Sequence, residues 1–138
     1  RQRGLRDGTV PPFGETFPSR AFPTTDFLLA GMFVGNEVAV GPVTLYPALR
    51  FDYYRLSPRP DPLIAGFRSA GQTGSRVSPK LGAVVKLDEQ VRLFGNYAQG
   101  FRAPEPGQIN QFFQNLAAGY TSISNPDLGP ERSESWEA

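Results

Sequence analysis

The chain has 138 residues, with 14 Lys and Arg against 13 Asp and Glu, and it contains neither His nor Cys. The lack of Cys excludes disulfides, thiolate metal sites and a cysteine nucleophile. The lack of His removes the commonest general base and metal ligand, so no usual catalytic triad can form. The net charge of +1 argues against a nucleic-acid partner. We therefore predict no enzyme activity, no metal site and no nucleic-acid binding.

No run of about 18 apolar residues occurs in the chain, which predicts the absence of a membrane-spanning helix. Glycine (15) and proline (14) form about a fifth of the residues, whereas ~12% is usual. Residues 1–26 are interpreted as a loop, because prolines and glycines interrupt every regular stretch there. Three aromatic side chains are expected to anchor this loop: Phe13, Phe17 and Phe22.

Residues 27–56 predict a β-hairpin that turns at Gly41-Pro42. After the turn, alternate positions form one apolar face, and the opposite face carries Arg50 and Asp52. The apolar positions are Val43, Leu45, Pro47, Leu49, Phe51 and Tyr53. Before the turn, another apolar row shares one face and is interrupted only at Asn36. Its members are Leu28, Ala30, Met32, Val34, Val38 and Val40.

A second hairpin is predicted after a loop over residues 57–75. It starts at Lys80, turns at Asp88-Glu89-Gln90 and returns to Arg102. Its apolar row includes Leu81, Ala83, Val85 and Leu93. A third loop spans residues 103–130, and within it residues 109–118 are interpreted as a short helix. A last strand is expected over residues 132–138.

Long strands with tight turns at one end and long loops at the other are typical of outer-membrane β-barrels. Aromatic residues near the long-loop ends predict a girdle at the membrane interface: Phe51, Tyr53, Tyr54, Tyr97 and Phe101. Polar residues opposite the apolar rows would line a hydrated lumen: Arg50, Asp52, Arg92 and Asn96. A soluble β-sheet binding module, with its apolar face in a protein core, is the alternative.

In the barrel interpretation, the chain holds about four to five strands, which are too few to close a barrel. An open sheet edge cannot face lipid, because its backbone polar groups would lack partners. The first residues, Arg1-Gln2-Arg3-Gly4, also lack a Met and an apolar signal core. We therefore expect residues 1–138 to be a partial β-barrel domain of a longer protein.

Two short boxes follow the second hairpin, namely Phe101-Arg102-Ala103-Pro104 and Asn125-Pro126-Asp127-Leu128. Four further segments carry related patterns: residues 33–37, 47–54, 78–82 and 129–137. In order and spacing, these segments resemble TonB-dependent outer-membrane receptors, especially the haem and haemoglobin receptor group. The first box matches the family's FRAP box. The second is similar to its NPNL box, with Asp127 in place of the second Asn.

The resemblance implies an all-β chain that is an antiparallel segment of a transmembrane barrel, twenty-two-stranded in the family, with long extracellular loops. It implies a location in the bacterial outer membrane, with membrane lipid as one partner. The TonB complex would be contacted through a plug domain that is absent from this chain. The implied function is TonB-dependent uptake of haem or of iron from haem proteins; a receptor for a siderophore or another nutrient is the alternative. Haem would then be a transported ligand and not a permanently bound cofactor.

The loop between the two boxes is the place where the resemblance implies ligand contact. The haem receptor group is expected to have a His there as the iron ligand, whereas residues 105–124 contain none. Tyr120 is the one residue of this interval whose type ligates haem iron. Amides and rings nearby are predicted to bind ligand: Gln108, Asn110, Phe112 and Phe113. Packing within the loop is the alternative for all of them, and Arg102 is expected to pair with Glu131 or Glu137.

Overall fold

The computed structural model describes residues 1–3, 5–7, 18–115 and 117–138. In chain order, the strands among them are Leu5–Arg6 (β1), Ser19–Arg20 (β2), Thr25–Gly35 (β3), Val38–Val40 (β4), Val43–Pro58 (β5), Gln72–Lys86 (β6), Arg92–Arg102 (β7), Gln114–Asn115 (β8), Tyr120–Thr121 (β9) and Glu131–Glu137 (β10). A 3₁₀ turn covers Pro62–Ile64, and helix α1 covers Pro106–Ile109. Phe13 and Phe17, which were predicted to anchor the first loop, lie outside the described residues.

The main sheet has the strand order β10–β7–β6–β5–β3, and β4 also pairs with β5. Strands β3 and β4 are two parts of one predicted strand. The break falls at Asn36-Glu37, where the Asn36 amide donates to the Pro47 carbonyl at 3.0 Å. The ladders β4–β5, β6–β7 and β7–β10 are antiparallel. The prediction of an all-β, antiparallel segment is therefore confirmed.

The register of the second hairpin confirms the two predicted faces. Leu81 lies opposite Tyr97, and Val85 lies opposite Leu93, so apolar residues meet apolar residues. On the other face, Gly82 lies opposite Asn96. A shift of one residue would have exchanged these faces, because successive side chains of a strand alternate in direction.

Both predicted tight turns are confirmed, and each has a local cause. Gly41 has a φ of +58°, which lies in the left-handed region that glycine enters at no steric cost. In the second turn, Asp88 Oδ1 accepts hydrogen bonds from the amides of Gln90 and Val91 at 2.7 and 2.8 Å. An aspartate that binds the amides following it stabilises a turn.

Two boundaries predicted from the sequence are wrong. Strand β6 begins at Gln72 and not at Lys80, which shortens the second loop to residues 59–71. Gly74, one of the glycines within the predicted loop, lies against the Tyr54 ring, where a Cβ atom would come within 2.5 Å of the ring. Gly74 therefore serves strand packing and does not mark a turn.

The short helix in the third loop also lies earlier than predicted. It covers only Pro106–Ile109 and begins there because Glu105 and Gln108 form a capping box, with Pro106 in the first turn. The chain then enters the small hairpin of β8 and β9, whose turn contains Gly119 with a φ of +69°. Among the described residues, no helix has the length and apolar character to cross a bilayer.

The chain divides into two compact units. The sheet unit comprises Leu29–Tyr53, Ser75–Arg102 and Pro130–Ala138, and the loop unit comprises Arg1–Leu28, Tyr54–Gly74 and Ala103–Gly129. Among the described residues, the buried hydrophobic side chains all belong to the loop unit: Tyr54, Leu56, Ile64 and Ile109. The apolar row of the sheet unit is exposed instead, for example at Leu49, Leu81 and Leu93. Tyr54, predicted to lie in an aromatic girdle, is thus part of the loop core.

Candidate ligand-binding loops

Asn110 connects the two long loops of the loop unit. Its side-chain Oδ1 accepts from the Ala70 amide at 2.7 Å, and its Nδ2 donates to the Ala70 carbonyl at 2.8 Å. The side chain is 0% exposed, so a lost partner would leave buried polar groups without hydrogen bonds. This reciprocal pair holds residues 40 positions apart in sequence and fixes the spacing of the loops.

Gln72, at the start of β6, holds the Asn125-Pro126-Asp127-Leu128 box. Its Nε2 donates to the carbonyls of Pro126 and Leu128 at 3.1 and 2.9 Å. Its Oε1 accepts from the Tyr54 hydroxyl at 3.1 Å. One amide side chain thereby orders the box from a strand. The Asn125 amide adds a hydrogen bond to the Ile109 carbonyl at 2.7 Å, next to helix α1.

Ion pairs tie the second loop to the first segment of the chain. Arg20 Nε donates to Asp61 Oδ2 at 2.9 Å, and the Asp61 side chain is nearly buried. The other Asp61 oxygen accepts from the Leu63 amide at 3.2 Å and caps the 3₁₀ turn. Asp26, also in the loop unit, is held by Arg59 and Arg1, whose hydrogen bonds lower the pKa of that carboxyl.

Between the two loops lies a cleft of about 730 Å³. Its lining is Leu63, Ile64, Ala65, Gly66, Phe67, Arg68, Phe112, Gln114, Thr121, Ser122, Ile123, Ser124 and Pro126. The rings of Phe67 and Phe112 meet edge to face, with centroids 5.5 Å apart and planes at 76°. The volume lies in the range usual for small-molecule pockets, and the wall combines apolar side chains with polar ones. The cleft is therefore the candidate ligand site.

The structure distributes the predicted ligand-binding residues over different roles. Phe112 lines the cleft, whereas Asn110 is buried against Ala70. The Gln108 side chain accepts from the Glu105 amide at 2.8 Å and caps helix α1. Phe113 and Tyr120 contact each other with ring centroids 5.8 Å apart, and neither is part of the cleft lining.

The sequence interpretation missed the half of the cleft that the second loop supplies. Phe67, Arg68 and the Leu63–Gly66 stretch lie in a segment that was identified only as a loop. No local pattern indicates that this loop faces the third one, because their contacts are long-range.

The FRAP-like box begins at the end of β7. Arg102 lies opposite Glu131 in the ladder, and its Nη1 is 3.6 Å from Glu131 Oε2. The predicted pairing of Arg102 with Glu131 is confirmed. Both side chains are well exposed. Pro104 is buried in the loop unit, whereas Ala103 is half-buried.

The four polar residues predicted to line a lumen share one face of the sheet unit. Arg50 Nε donates to both carboxylate oxygens of Asp52 at 2.9 Å. Gly31 on the neighbouring strand makes room for this pair, because a Cβ there would lie 3.0 Å from Asp52 Oδ1. On the other strands, Asn96 lies opposite Gly82, and Arg92 lies opposite Lys86. Both pairs lie on the face where Gly82 contacts the Tyr46 side chain.

An aromatic pair lies on the opposite face. Tyr97 and Trp136 are register partners, and their ring centroids are 4.3 Å apart. The next pair toward the long loops is polar, since Gln99 Nε2 donates to Glu134 Oε1 at 3.2 Å. An apolar row that ends in aromatic residues before polar ones is typical of a membrane interface. Trp136 was not included in the predicted girdle.

Among the described residues, no group of three or more potential metal ligands comes together.

Comparison with known proteins agrees with this geometry. A family model described as TonB dependent receptor-like, beta-barrel matches residues 1–138. A protein named Hemin receptor from Yersinia enterocolitica is 29% identical over 145 residues, which cover 96% of this chain and 20% of that protein. The chain thus spans about a fifth of the length of this relative. It belongs to the TonB-dependent receptor-like β-barrel family, whose members are receptors and transporters of the Gram-negative outer membrane and not enzymes.

Proposed function

We propose that this chain supplies part of the barrel wall and two extracellular loops of an outer-membrane receptor that imports haem, or iron from haem proteins. The observation that carries the proposal is the 29% identity to a protein named Hemin receptor, which extends over 96% of the chain. Residues 1–138 are then a partial barrel domain. The plug and the segment that contacts TonB belong to other parts of the receptor.

The exposed apolar row of the sheet unit supports a wall that faces lipid. In a barrel of this kind, apolar residues face the membrane and the alternating polar residues face the lumen. The polar face with the Arg50–Asp52 pair would then border the hydrated passage. A soluble β-sheet module would need these apolar side chains in a core. Among the described residues, the sheet unit buries no large hydrophobic side chain.

The hydrogen-bonded loops support ligand capture. Long loops of outer-membrane barrels are extracellular, and the two loops here are joined through Asn110 and Gln72. A site that is ordered before binding loses less conformational entropy when the ligand arrives. In the proposed mechanism, the loops capture the ligand, and TonB acts on the plug so that the ligand passes through the lumen. This chain contributes ligand contacts and part of the barrel wall, and the energy for transport comes from TonB.

A receptor for a siderophore or another scarce nutrient is the second candidate. The specific observation in its favour is the lack of His in the whole chain, because His is a common axial ligand of haem iron. The two candidates share the wall, the loops and the dependence on TonB. They differ only in the ligand.

The test uses the complete receptor in a haem-auxotrophic strain that lacks other haem receptors. We expect growth on haemin that depends on both the receptor and TonB. We also expect a shift of the Soret band when haemin is added to the purified receptor in detergent. Absence of both the band shift and the haem-dependent growth would reject haem uptake and favour the second candidate.

A further inference from the structure

The charge and chemistry of the cleft restrict its ligand. Within the described part of the chain, its lining contains one cation, Arg68, and no carboxylate. Among the described residues, no carboxylate forms an ion pair with Arg68, whereas Arg20, Arg50 and Arg59 each have one. An exposed guanidinium beside an apolar wall favours a ligand with an anionic group attached to an apolar body.

The apolar body would lie against two aromatic rings and an exposed aliphatic side chain. Phe67 and Phe112 form one wall. Ile123 lines the cleft while 85% exposed, so its side chain is available to a ligand. Flat conjugated rings pack well on such surfaces, since aromatic contacts add to the gain from burial.

The polar residues of the lining are only partly available for hydrogen bonds. Ser122 is already engaged, because its hydroxyl accepts from the Phe113 amide and donates to the Gln111 carbonyl, both at 2.7 Å. Thr121 donates to the Phe113 carbonyl at 3.3 Å. Ser124 and Gln114 therefore complement Arg68 as the polar groups offered to a ligand.

The lining also lacks the side chains that coordinate iron. The described residues that form it include no His, Cys, Met, Tyr, Asp or Glu, which are the side chains that bind iron in haem and non-haem sites. Tyr120, the one residue of residues 105–124 whose type can ligate haem iron, packs on Phe113 outside this lining. Any recognition in the cleft therefore acts on the organic part of the ligand.

From this geometry we infer that the cleft binds a porphyrin through its ring and its carboxylates, with Arg68 as the carboxylate contact, independently of the bound metal. The inference rests on the proposed function and specifies which part of the ligand these loops contact. The cleft then binds haem and the metal-free ring equally well, even if another part of the receptor contacts the iron.

The test measures the dissociation constants of haemin and metal-free protoporphyrin IX for the complete receptor in detergent, by calorimetry. We expect Arg68→Gln to weaken both ligands about tenfold, the usual loss for a hydrogen bond to a charged group. Arg59→Gln is the matched control, because Arg59 lies in the same loop, pairs with Asp26 and is not part of the lining. It should change either constant less than about twofold, as expected for an exposed ion pair.

A second variant tests the apolar contact without a risk to folding. Ile123→Ser should weaken both porphyrins by roughly threefold to tenfold, because part of an aliphatic side chain is lost from the contact. Leu5→Ser is its control, since Leu5 is also exposed in the loop unit but lies outside the lining. This control should leave both affinities unchanged.

The outcomes separate the two proposals. Equal losses for haemin and the metal-free ring support the inference. A loss restricted to haemin, no loss for either ligand, or a wild-type receptor that binds haemin but not the metal-free ring overturns it and leaves haem uptake intact. A wild-type receptor that binds neither ring, with no haem-dependent growth, overturns the inference together with the proposed function.

Discussion

The sheet unit and the loop unit of this chain handle apolar side chains in opposite ways. The loop unit buries Tyr54, Leu56, Ile64 and Ile109 and ties them down with buried polar contacts such as that of Asn110. The sheet unit leaves Leu49, Leu81 and Leu93 exposed. The loop unit is thus organised as water-soluble proteins are, around a small core with satisfied polar groups.

This difference indicates that the sheet unit is suited to contact with lipid, whereas the loop unit is suited to contact with water. Exposed apolar rows of this length are unusual on soluble proteins, but they are the expected outer surface of a membrane barrel. The loop unit needs its own core, because loops in water gain order only from contacts among themselves. Substitutions should therefore have opposite consequences in the two units, and the following variants test this, from the largest expected effect to the smallest.

The largest effect should come from a charge on the apolar row. Leu93 and Phe94 are adjacent in β7, and each is 56% exposed, yet they point to opposite faces. We expect Leu93→Arg to destabilise the folded barrel by about 2–4 kcal/mol, the cost of an arginine near the bilayer midplane. Phe94→Arg, on the polar face, should cost clearly less. The measurement is urea unfolding of the complete receptor in lipid vesicles, and similar losses for the two variants would contradict a lipid-facing row.

A methyl group added at Gly74 should have the next largest effect. Its Cβ would lie 2.5 Å from the Tyr54 ring, which is buried and has little room to move. Overpacking of this kind costs about 1–3 kcal/mol. Gly66→Ala is the control, because nothing lies within 4 Å of its Cβ position. Thermal unfolding and protease cleavage of the loops should distinguish the two variants, and a stable, resistant Gly74→Ala receptor would refute the tight contact.

Removal of the Asn110 side chain should loosen the loops but spare the barrel. Asn110→Ala leaves the part-buried Ala70 amide and carbonyl without their side-chain partner, at a cost of about 1–3 kcal/mol. Gln111→Ala, at the exposed neighbouring position, should be neutral. Hydrogen exchange of residues 59–71 and 103–130 would reveal the loss of order. Unchanged exchange there, or reduced outer-membrane abundance, would argue against a role confined to the loop unit.

The smallest effect is expected at Arg102, although its box carries the family resemblance. The pair with Glu131 is exposed and 3.6 Å long, and such pairs contribute about 0–1 kcal/mol. We expect Arg102→Ala to affect barrel assembly or loop order slightly, and ligand binding less. Glu131→Gln should have the same small effect, because it breaks the same pair. Normal outer-membrane abundance combined with lost uptake would contradict this structural role.

The parts of the fold that depend on neighbouring residues were predictable from the sequence. The alternation along β5, β6 and β7 identified the strands and their faces, because a strand places side chains on opposite sides in turn. Gly41 and Asp88 marked the two tight turns, since each stabilises its turn locally. For Arg102 the sequence left Glu131 and Glu137 open as partners, and only the ladder of β7 with β10 places Glu131 opposite it.

The errors occurred where long-range packing decided the local structure. Gly74 looked like a loop residue but lies against the Tyr54 ring, so β6 starts earlier than predicted. Asn110 looked like a ligand contact, yet its amide is occupied by Ala70. Trp136 was left out of the predicted girdle, because only its register with Tyr97 brings the two rings together.

The sequence by itself determined the strands, their two faces and the family, because these follow from periodicity and short motifs. Only the tertiary structure decided that two loops join around a cleft with a single arginine. The contacts responsible, from Asn110 to Ala70 and from Gln72 to the Pro126 and Leu128 carbonyls, connect residues 40 to 56 positions apart. No local pattern encodes such pairs, since their formation depends on the whole chain being folded.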